Sequence, residues 1–312
     1  MTARRYLNAD GWHHPGLGDI LRWAVVDRVL GRRPWRVTGE AAPVVPCAPA
    51  ATCPGLTWLG HGSVLLSLAE DLWCLVDPVL SARIGPGLRR RTPWPLAATA
   101  WPKIDVVLIT HNHRDHLDRG SIAALERQGA PHNLVPLGVE RTLRAWGVAA
   151  ERVTPLRWWE GWEGPKGVSV LCVPAQHWSQ RGLWDRNRTW WCGFVVQGRG
   201  RQVYFAGDTA QGDHFAEIGE RCPGLDWAVL PIGAYAPEWF MLKQHMNPEQ
   251  ALAAFRASGA EEMLAVHWGT FVLSDEALDE PRARLMAALA QAQGVAERVW
   301  APPIGSTLAL GR

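Results

Sequence analysis

Short apolar runs rich in Val, Ile and Leu recur along the chain, and Gly, Pro or charged residues separate them. Runs of this kind, bounded by turn residues, predict strands buried in a sheet. We expect strands at 56–59, 64–68, 72–76, 103–110, 168–173, 192–197, 202–206, 227–230 and 263–266.

Helical patterns lie between these strands. The clearest begins at Asn247-Pro-Glu-Gln250, which combines a capping side chain, Pro at the first helical position and Gln three residues after the cap. The same reasoning predicts helices at 18–30, 121–128, 138–146, 247–259 and 281–293. Because strands and helices alternate without a short repeat, the pattern indicates an α/β fold.

The pattern divides the chain into an N-terminal arm, residues 1–54, and a single domain, residues 55–312. The arm holds an amphipathic helix at 18–30, with Asp19 as its expected cap, which we expect to pack on the domain. Within the domain, residues 81–102 are rich in Arg and Pro and show no periodicity. A loop of that length in a compact domain is more often functional than idle.

Composition describes an ordinary globular chain of 312 residues, 47% of them hydrophobic. The formal net charge is only +2, from 32 basic and 30 acidic residues, so a nucleic-acid partner is not indicated. The chain starts without an apolar leader, and no apolar run is long enough to span a bilayer. We therefore expect a cytoplasmic protein, with peripheral contact at the inner face of the membrane left open.

Cysteine and tryptophan usage adds two expectations. The six cysteines lack Cys-x-x-Cys spacing, which favours buried thiols in a reducing compartment, with a Cys47–Cys53 pair as the alternative. Most of the 19 tryptophans are expected in the core, but several stand beside Arg or Pro, a mixture that also suits a membrane interface. These are Trp23, Trp35, Trp94, Trp101, Trp184 and Trp190.

The candidate chemistry begins at residues 111–116, His-Asn-His-Arg-Asp-His, which follow the strand predicted at 103–110. Four of these six side chains can bind a metal, which is more than one tetrahedral ion takes from a short segment. The crowding suggests two metal ions. A polar surface turn is the alternative.

Further ligand types stand at the ends of other predicted strands: Asp77, His177, Asp208 and His267. Because side chains at the carboxyl ends of strands converge in α/β sheets, we expect one shared site. Seven ligands would then hold two ions, with His111, His113 and His177 on the first, Asp115, His116 and His267 on the second, and Asp208 between them.

The ligand types also limit the metal. Imidazole and carboxylate without thiolate suit two divalent ions, with zinc favoured and manganese or iron compatible. Asp77 is expected to accept the free N–H of a ligand imidazole. His61, between two glycines, either does similar work or closes a turn.

Two more side chains are candidates for the reaction. His245 either positions a phosphate or protonates the leaving alkoxide, or it packs against the cap of its own helix. Tyr235 either donates to a phosphate oxygen or is a buried structural hydroxyl.

Candidate substrate-binding residues are Arg181, Arg89, Arg91 and Trp94. An ordinary ion pair with Asp185, four residues on, competes for Arg181. The arginine run at 89–91 is either a solvated face or a contact for anionic headgroups or a substrate phosphate.

Together these motifs resemble the metallo-β-lactamase superfamily and, more narrowly, the N-acyl phosphatidylethanolamine-hydrolysing phospholipase D family. The resemblance implies a four-layer αββα sandwich with a dinuclear site at one edge of two sheets, held by the seven ligands above. It departs at Arg114 and at Thr209-Ala-Gln211, beside the ligands, which puts the substrate in doubt more than the chemistry. The matching segments are TWLGHGS from Thr57, LVDPVLSAR from Leu75, GPGLRRR from Gly85, HNHRDHLD from His111, PAQHWSQRG from Pro174, WCGF from Trp191, GDT from Gly207, PIGAYAPEWFM from Pro231, HMNPEQA from His245 and HWGTF from His267.

The expected function is a dinuclear metal-dependent hydrolase of phosphodiester bonds, of phospholipase D type, with N-acyl phosphatidylethanolamine-like lipids as substrates. Two metals would lower the pKa of a water molecule between them, and the resulting hydroxide would be the nucleophile. Asp115 and Asp208 are expected in catalytic positions. A lactonase or esterase using the same site is one alternative, since only the pocket shape would differ. A peripheral membrane-binding protein with structural metals is the other, and a β-lactamase fits less well.

Overall fold

The protein is described by a computed structural model that covers residues 5–11, 15–34, 36–47, 54–69, 72–85, 87–96 and 101–310. Trp35 and Cys53 lie outside these ranges, so the expected alternative of a Cys47–Cys53 pair is not addressed. The described cysteines are free thiols: Cys47, Cys74, Cys172, Cys192 and Cys222.

The described strands follow the predicted apolar runs and add several shorter ones. They are β1 (Gly55–Gly60), β2 (Ser63–Ala69), β3 (Leu72–Val76), β4 (Arg83–Ile84), β5 (Leu88–Arg89), β6 (Val106–Leu108), β7 (His132–Pro136), β8 (Val153–Leu156), β9 (Gly161–Glu163), β10 (Ser169–Val173), β11 (Gly193–Gly198), β12 (Arg201–Phe205), β13 (Trp227–Pro231), β14 (Glu262–Val266), β15 (Val299–Trp300) and β16 (Thr307–Ala309).

The described α-helices are fewer and lie between or outside the strands. They are α1 (Leu17–Leu21), α2 (Asp27–Val29), α3 (Arg119–Gln128), α4 (Glu140–Ala145), α5 (His214–Arg221), α6 (Glu238–Met241), α7 (Pro248–Ser258) and α8 (Glu280–Gln291), and a π-helical turn at Arg22–Val26 joins α1 to α2.

Two seven-stranded sheets form the centre of the molecule. Sheet I has the order β16-β1-β2-β3-β6-β7-β8, and sheet II has the order β15-β14-β13-β12-β11-β10-β9. In sheet I, β3 runs parallel to β6, and in sheet II, β12, β13 and β14 run parallel to one another. The carboxyl ends of β3 and β6, and likewise those of β12 and β14, therefore reach one edge of their sheet.

Successive side chains of a strand point to opposite faces of the sheet, so they join different layers of the core. In β3, Cys74 and Val76 join the core between the two sheets, whereas Trp73 and Leu75 face the opposite way, as the two-residue period requires. That second face packs on α3 and α4 through residues such as Leu125. On the far side of sheet II, α5, α7 and α8 complete the stack. The predicted α/β class and four-layer αββα sandwich are thus confirmed.

Several local expectations need correction. Gly16, not Asp19, is the N-cap of α1, and the Asp19 carboxylate instead accepts the Gly16 N–H over 3.0 Å. The segment 81–102 contains a hairpin of β4 and β5, which is too short to produce a periodic signal. The strand predicted at 103–110 is only Val106–Leu108, because its last residues already turn towards the site.

The N-terminal arm packs closely on the domain. The Trp23 ring stacks on Phe240 with 5.1 Å between centroids, and its indole N–H donates to Asp275 over 3.2 Å. Further along, Ala42 N–H donates to Gly269 O, and Val44 pairs with Ile304. None of the described helices is long and apolar enough to cross a membrane.

Candidate metal centre

The seven predicted ligands meet at one edge of the sandwich, although they come from four parts of the chain. Residues 111–116 form a tight loop after β6, which brings His111, His113, Asp115 and His116 together. The other three follow β10, β12 and β14 of sheet II. Two facing sheets thus each contribute ligands at their carboxyl ends.

The first cluster comprises His111, His113 and His177. The Nδ1 atom of His113 lies 2.9 Å from Nε2 of His111 and 3.2 Å from Nε2 of His177. The Oδ2 atom of Asp208 lies 3.9 Å and 3.8 Å from the same two Nε2 atoms. Three imidazole nitrogens and a carboxylate oxygen facing one point are a donor set that zinc commonly takes.

The second cluster comprises Asp115, His116 and His267. His116 Nε2 lies 3.7 Å from Asp115 Oδ2, and His267 Nε2 lies 4.0 Å from the same oxygen. Asp208 also faces this cluster, with Oδ2 3.3 Å from His116 Nε2 and Oδ1 3.1 Å from His267 Nε2. Asp208 is therefore the one carboxylate, among the residues that the structure describes, within 4 Å of imidazole nitrogens of both clusters.

Unpaired polar atoms show that these residues suit divalent ions. His116 Nε2, His267 Nε2 and Asp208 Oδ1 are buried without a hydrogen-bond partner among the described residues. Buried polar atoms left without partners cost free energy, and a cation bound between lone pairs removes that cost. The donor set therefore fits metal ions better than it fits a hydrogen-bonded core.

Asp77 and Gln244 fix the orientation of two imidazoles. Asp77 Oδ2 lies 2.7 Å from His116 Nδ1, while its two oxygens also accept from the Thr110 N–H and hydroxyl. The Gln244 carbonyl lies 2.8 Å from His177 Nδ1. Each contact holds the proton on Nδ1, which leaves Nε2 of the same ring as a lone-pair donor.

Asn8 holds the backbone of His177 from the N-terminal arm. Its side-chain amide donates to the His177 carbonyl over 2.9 Å and its oxygen accepts the His177 N–H over 3.0 Å. The same oxygen accepts from the Trp191 indole. No local pattern in the sequence marks Asn8, because its partners are far along the chain.

His61 connects a turn with the second cluster. It lies in the turn between β1 and β2, and its Nε2 is 3.0 Å from Asp115 Oδ2. His61, Asp77 and His267 have φ angles of 53°, 42° and 64°, a left-handed conformation that is unfavourable for residues with a Cβ atom. Such strain persists at sites where side-chain direction matters.

The site is buried, and its charges depend on one another. Burial alone would raise the pKa of Asp208, but His116 and His267 outweigh it and hold that pKa well below its usual range. Burial lowers the pKa of His113 to about 4 and the pKa of His177 to about 3. His116 differs, because burial lowers its pKa but Asp208, Asp77 and Asp115 outweigh burial and hold that pKa well above its usual range. This imidazole would release a proton when a metal binds.

A cavity of about 270 Å³ opens onto the ligands. His113, Asp115 and Asp208 contribute to its lining together with His245, whose Nδ1 is buried, without a hydrogen-bond partner among the described residues, and 3.8 Å from Asp208 Oδ2. The remaining walls are largely apolar: Pro15, Ile20, Trp23, Trp178, Phe240, Met241 and Leu273, with Gln244 and Arg186.

Arg186 and Trp178 are cavity residues that the sequence analysis missed. The Arg186 guanidinium lies 5.4 Å from the centroid of the Trp178 ring, and Arg186 is the one Lys or Arg among the described lining residues. Trp178 directly follows the proposed ligand His177, so its position in the sequence could have indicated it. Ile20 and Trp23 carry no such signal, since the arm is distant in sequence.

Several sequence candidates lie elsewhere. The Tyr235 hydroxyl donates to Glu280 over 2.7 Å, so it supports α8 instead of facing the cavity. Trp94 stacks on Trp101 against the outer core of sheet I, and Arg89 lies in the β4–β5 hairpin. In the part of the chain that the structure describes, none of them lines the cavity. The Tyr235 contact agrees with the alternative of a buried structural hydroxyl, and substrate contacts of Trp94 and Arg89 stay predictions.

Arg181 and Arg114 also lie outside the described lining of the cavity. Arg181 Nη1 donates to the carbonyls of Asn112 and Leu117 over 3.1 Å and 2.6 Å. The Arg181 backbone N–H, and not its guanidinium, donates to the Asp185 carboxylate over 3.1 Å. Arg114 donates to the Arg181 carbonyl over 3.1 Å. Because a guanidinium held by two backbone carbonyls has little freedom to reach a substrate, Arg181 supports the 111–116 loop.

Comparison with known proteins agrees with this geometry. The family model described as a beta-lactamase superfamily domain matches residues 72–268. An N-acyl-phosphatidylethanolamine-hydrolyzing phospholipase D 1 of Caenorhabditis elegans is 37% identical over 242 residues, covering 73% of this chain and 68% of that protein. An uncharacterised protein of Mycobacterium tuberculosis is 37% identical over 276 residues, covering 86% and 73%.

Among solved structures, a metallo hydrolase from the archaeon Ignicoccus hospitalis has the same fold, with a TM-score of 0.63 at 22% identity. The match covers 84% of this chain and 100% of that one. With the clustered ligands, these findings show that the chain belongs to the metallo-β-lactamase superfamily and is a metal-dependent hydrolase.

Proposed function

We propose that the protein is a phosphodiesterase of phospholipase D type that uses two divalent ions, most simply zinc, and accepts N-acyl phosphatidylethanolamine-like lipids. The observation that carries the proposal is the position of the seven ligands beside a cavity with apolar walls. Such walls suit acyl chains, while the ligands suit a phosphate. The name of the C. elegans relative supports the same substrate class.

Divalent ions held by these ligands would make a bound water acidic and neutralise phosphate oxygens. The residues of the chain then divide the remaining work. Asp115 and Asp208 supply negative charge for the ions, and His245 Nδ1, buried beside Asp208, hydrogen-bonds the substrate phosphate. Arg186, on the wall, pairs with the phosphate charge. Ile20 and Trp23 exclude water from the opposite side.

The arm also supports peripheral contact with a lipid bilayer. Leu21, Val25 and Val29 repeat every four residues and are 58%, 50% and 71% exposed, although Ile20 and Trp23 of the same segment line the cavity. Leu183 and Trp184 are more than 80% exposed. An exposed apolar stripe on the same segment as two residues of the cavity wall is suited to lie in the membrane interface.

Metal analysis and a substrate panel test the proposed reaction. The purified protein should contain about two metal ions per chain and hydrolyse N-acyl phosphatidylethanolamine and an activated bis-aryl phosphate. His113→Ala should lose metal and activity, whereas His132→Ala, which removes a half-buried histidine bonded to Thr154, should lose neither. Metal-replete protein that is inert on phosphodiesters but active on lactones or thioesters would overturn the substrate class.

Vesicle sedimentation tests the membrane contact. Val25→Asp with Val29→Asp should weaken binding to phosphatidylcholine vesicles, because two charges would then enter the apolar stripe. Met286→Asp, at an exposed apolar position on α8, is the matched control. Equal binding by the parent and the arm variant would contradict the contact.

A further inference from the structure

A second, basic groove lies beside the metal cavity. It has a volume of about 680 Å³, and Trp23 and Leu273 line both spaces, so the two share a wall. Four arginines line the groove: Arg28, Arg33 and Arg36 from the arm, and Arg91 from the segment after β5. Of these four arginines, only Arg91 was a candidate from the sequence, because the fold is needed to bring the arm beside that segment.

Three of these guanidinium groups have no carboxylate partner among the described residues. Asp275 is the one acidic residue of the described lining, and it is taken by Arg33, whose Nε lies 2.5 Å from Asp275 Oδ1. The Arg33 guanidinium also stacks on the Trp23 ring at 3.8 Å, which holds it in the wall. Arg28, Arg36 and Arg91 are left to face the groove with an uncompensated positive charge.

An unpaired nitrogen of Arg28 points to a ligand, although the residue as a whole is only half-buried. Its Nε is buried and has no hydrogen-bond partner within the described residues, whereas the neighbouring Asp27 is paired with Arg22 and Arg32. A buried donor without an acceptor costs free energy unless a ligand supplies one. Phosphate oxygens are the acceptors that match several guanidinium forks at once.

We propose that this groove is a binding site for a phosphate monoester group, separate from the metal centre. The same chemistry occurs in an anionic phospholipid headgroup and in a soluble phosphate ester. The position of Arg28 on the segment that carries the exposed Val25 and Val29 favours the lipid, since a bilayer contacting that stripe would place headgroups at the level of the groove. The site would hold the cavity mouth at an anionic membrane without taking part in hydrolysis.

Two matched probes distinguish the sources. Phosphatidic acid in phosphatidylcholine vesicles and glycerol 3-phosphate in solution carry the same phosphate monoester, and neither is a phosphodiester that the metal centre would hydrolyse. The measurements are the increase in vesicle binding caused by phosphatidic acid and calorimetric binding of glycerol 3-phosphate. Both report binding alone, so they stay informative for a sample without turnover.

Variants on the two sides of the groove test the site. Arg28→Gln with Arg36→Gln should reduce the phosphatidic acid increment roughly tenfold, and Arg91→Gln alone should reduce it several-fold. Arg127→Gln with Arg256→Gln makes the same change in net charge at exposed positions on α3 and α7, outside the described lining of the groove. This control should leave the phosphatidic acid increment unchanged. Thermal unfolding of each variant checks that the fold is kept.

The outcomes separate clearly. If the groove variants lose binding to phosphatidic acid, the result supports a phosphate carried by a lipid. If they also lose binding to glycerol 3-phosphate, the same site accepts soluble esters. An equal loss in the Arg127 and Arg256 control would overturn the proposal, because net charge alone would then explain the binding. A loss confined to the arm variant, with Arg91→Gln unaffected, would also overturn it, because the groove needs both sides.

Discussion

Individual residues around the proposed ligands decide how those ligands point. Asp77 lies behind His116, and its two carboxylate oxygens accept three hydrogen bonds from Thr110 and His116. Neutral imidazoles can bind through either nitrogen, so the acceptor on Nδ1 selects Nε2 for the metal. The sequence indicates that Asp77 stands at a strand end, but its partner follows only from the packing of β3 beside β6.

Asp77→Asn tests this orientation. Asn tolerates the left-handed backbone at this position, but its side chain offers one acceptor oxygen where Asp77 offers two. We expect metal affinity to fall by roughly 10- to 100-fold, as measured by competition with a chelator. Asp226→Asn, which affects an ion pair with Arg201, is the control and should keep the parent affinity. Unchanged affinity in Asp77→Asn would show that His116 does not need the contact.

His214 makes stability depend on pH outside the proposed ligand set. Its ring packs on Phe215 and its Nε2 lies 3.1 Å from Thr209 Oγ1, and burial lowers its pKa to about 4. In the unfolded chain a histidine has a pKa of about 6.5. Between these two values the unfolded state binds the extra proton, so stability falls as the pH falls from about 6.5 towards 4.

His214→Gln removes this proton linkage. We expect the free energy of unfolding of the variant to fall less between about pH 7 and about pH 5 than that of the parent, by up to about 2 kcal/mol. Urea unfolding of metal-replete protein at the two pH values measures the difference. His132→Gln, at a less buried ring, should produce a smaller change. Parallel pH profiles for the parent and His214→Gln would count against the linkage.

At the scale of elements, α7 shows how local sequence and tertiary position combine. The Asn247 side chain caps the helix by accepting a hydrogen bond from the Gln250 N–H over 2.9 Å. In turn, the Gln250 side chain accepts a hydrogen bond from the Asn247 N–H. Gly259 ends the helix with a φ of 68°. The capping box was predictable from four residues, and the loop that precedes it carries Gln244 and His245 into the site.

Asn247→Ala should destabilise the protein by about 1 kcal/mol, because the first turn of α7 loses its capping acceptor. The expected readout is a lower urea midpoint with an unchanged slope. Asn247→Ser keeps an acceptor at the cap and, like the Ala variant, loses the amide that donates to Glu238, so it is the matched control. If both variants unfold at the same urea concentration, the cap does not contribute as described.

At the scale of the whole molecule, the arm completes the cavity of a domain that begins after it. Asn8 bonds to the backbone of His177, and Ile20 and Trp23 form part of the cavity wall. Part of the cavity wall therefore comes from the arm, whereas the proposed ligands lie between residues 111 and 267. We expect the arm to affect binding of long substrates more than the reaction itself.

Trp23→Ala tests that division. Removing the indole takes apolar surface from the wall, so KM for a long-chain N-acyl phosphatidylethanolamine should rise roughly tenfold. Hydrolysis of the small bis-aryl phosphate should change far less, because that substrate does not reach the arm. Trp300→Ala, at a partly exposed tryptophan on β15, is the control for loss of an indole. Equal effects on both substrates would show that Trp23 stabilises the site as a whole and does not act mainly on long substrates.

Much of the fold could be predicted because strand and helix signals are local. The apolar runs identified β1, β2, β3 and the central strands of sheet II, since a strand buried on both faces is apolar throughout. Short elements were missed where local signals were weak or broken. His132–Pro136 and Val153–Leu156 contain Pro or polar residues, and β15 and β16 are held by pairing with strands distant in sequence.

The sequence by itself determined the fold class and the seven ligand candidates, because ligands must be His or Asp and they stand at the ends of apolar strands. Only the tertiary structure decided which side chains surround them. The Tyr235 hydroxyl donates to Glu280, and the Arg181 guanidinium donates to two backbone carbonyls. The fold of the arm places Trp23 on the cavity wall. The physical reason is that a ligand is specified by its own chemistry, whereas a wall or a hydrogen-bond partner is specified by distances between residues that lie far apart in the chain.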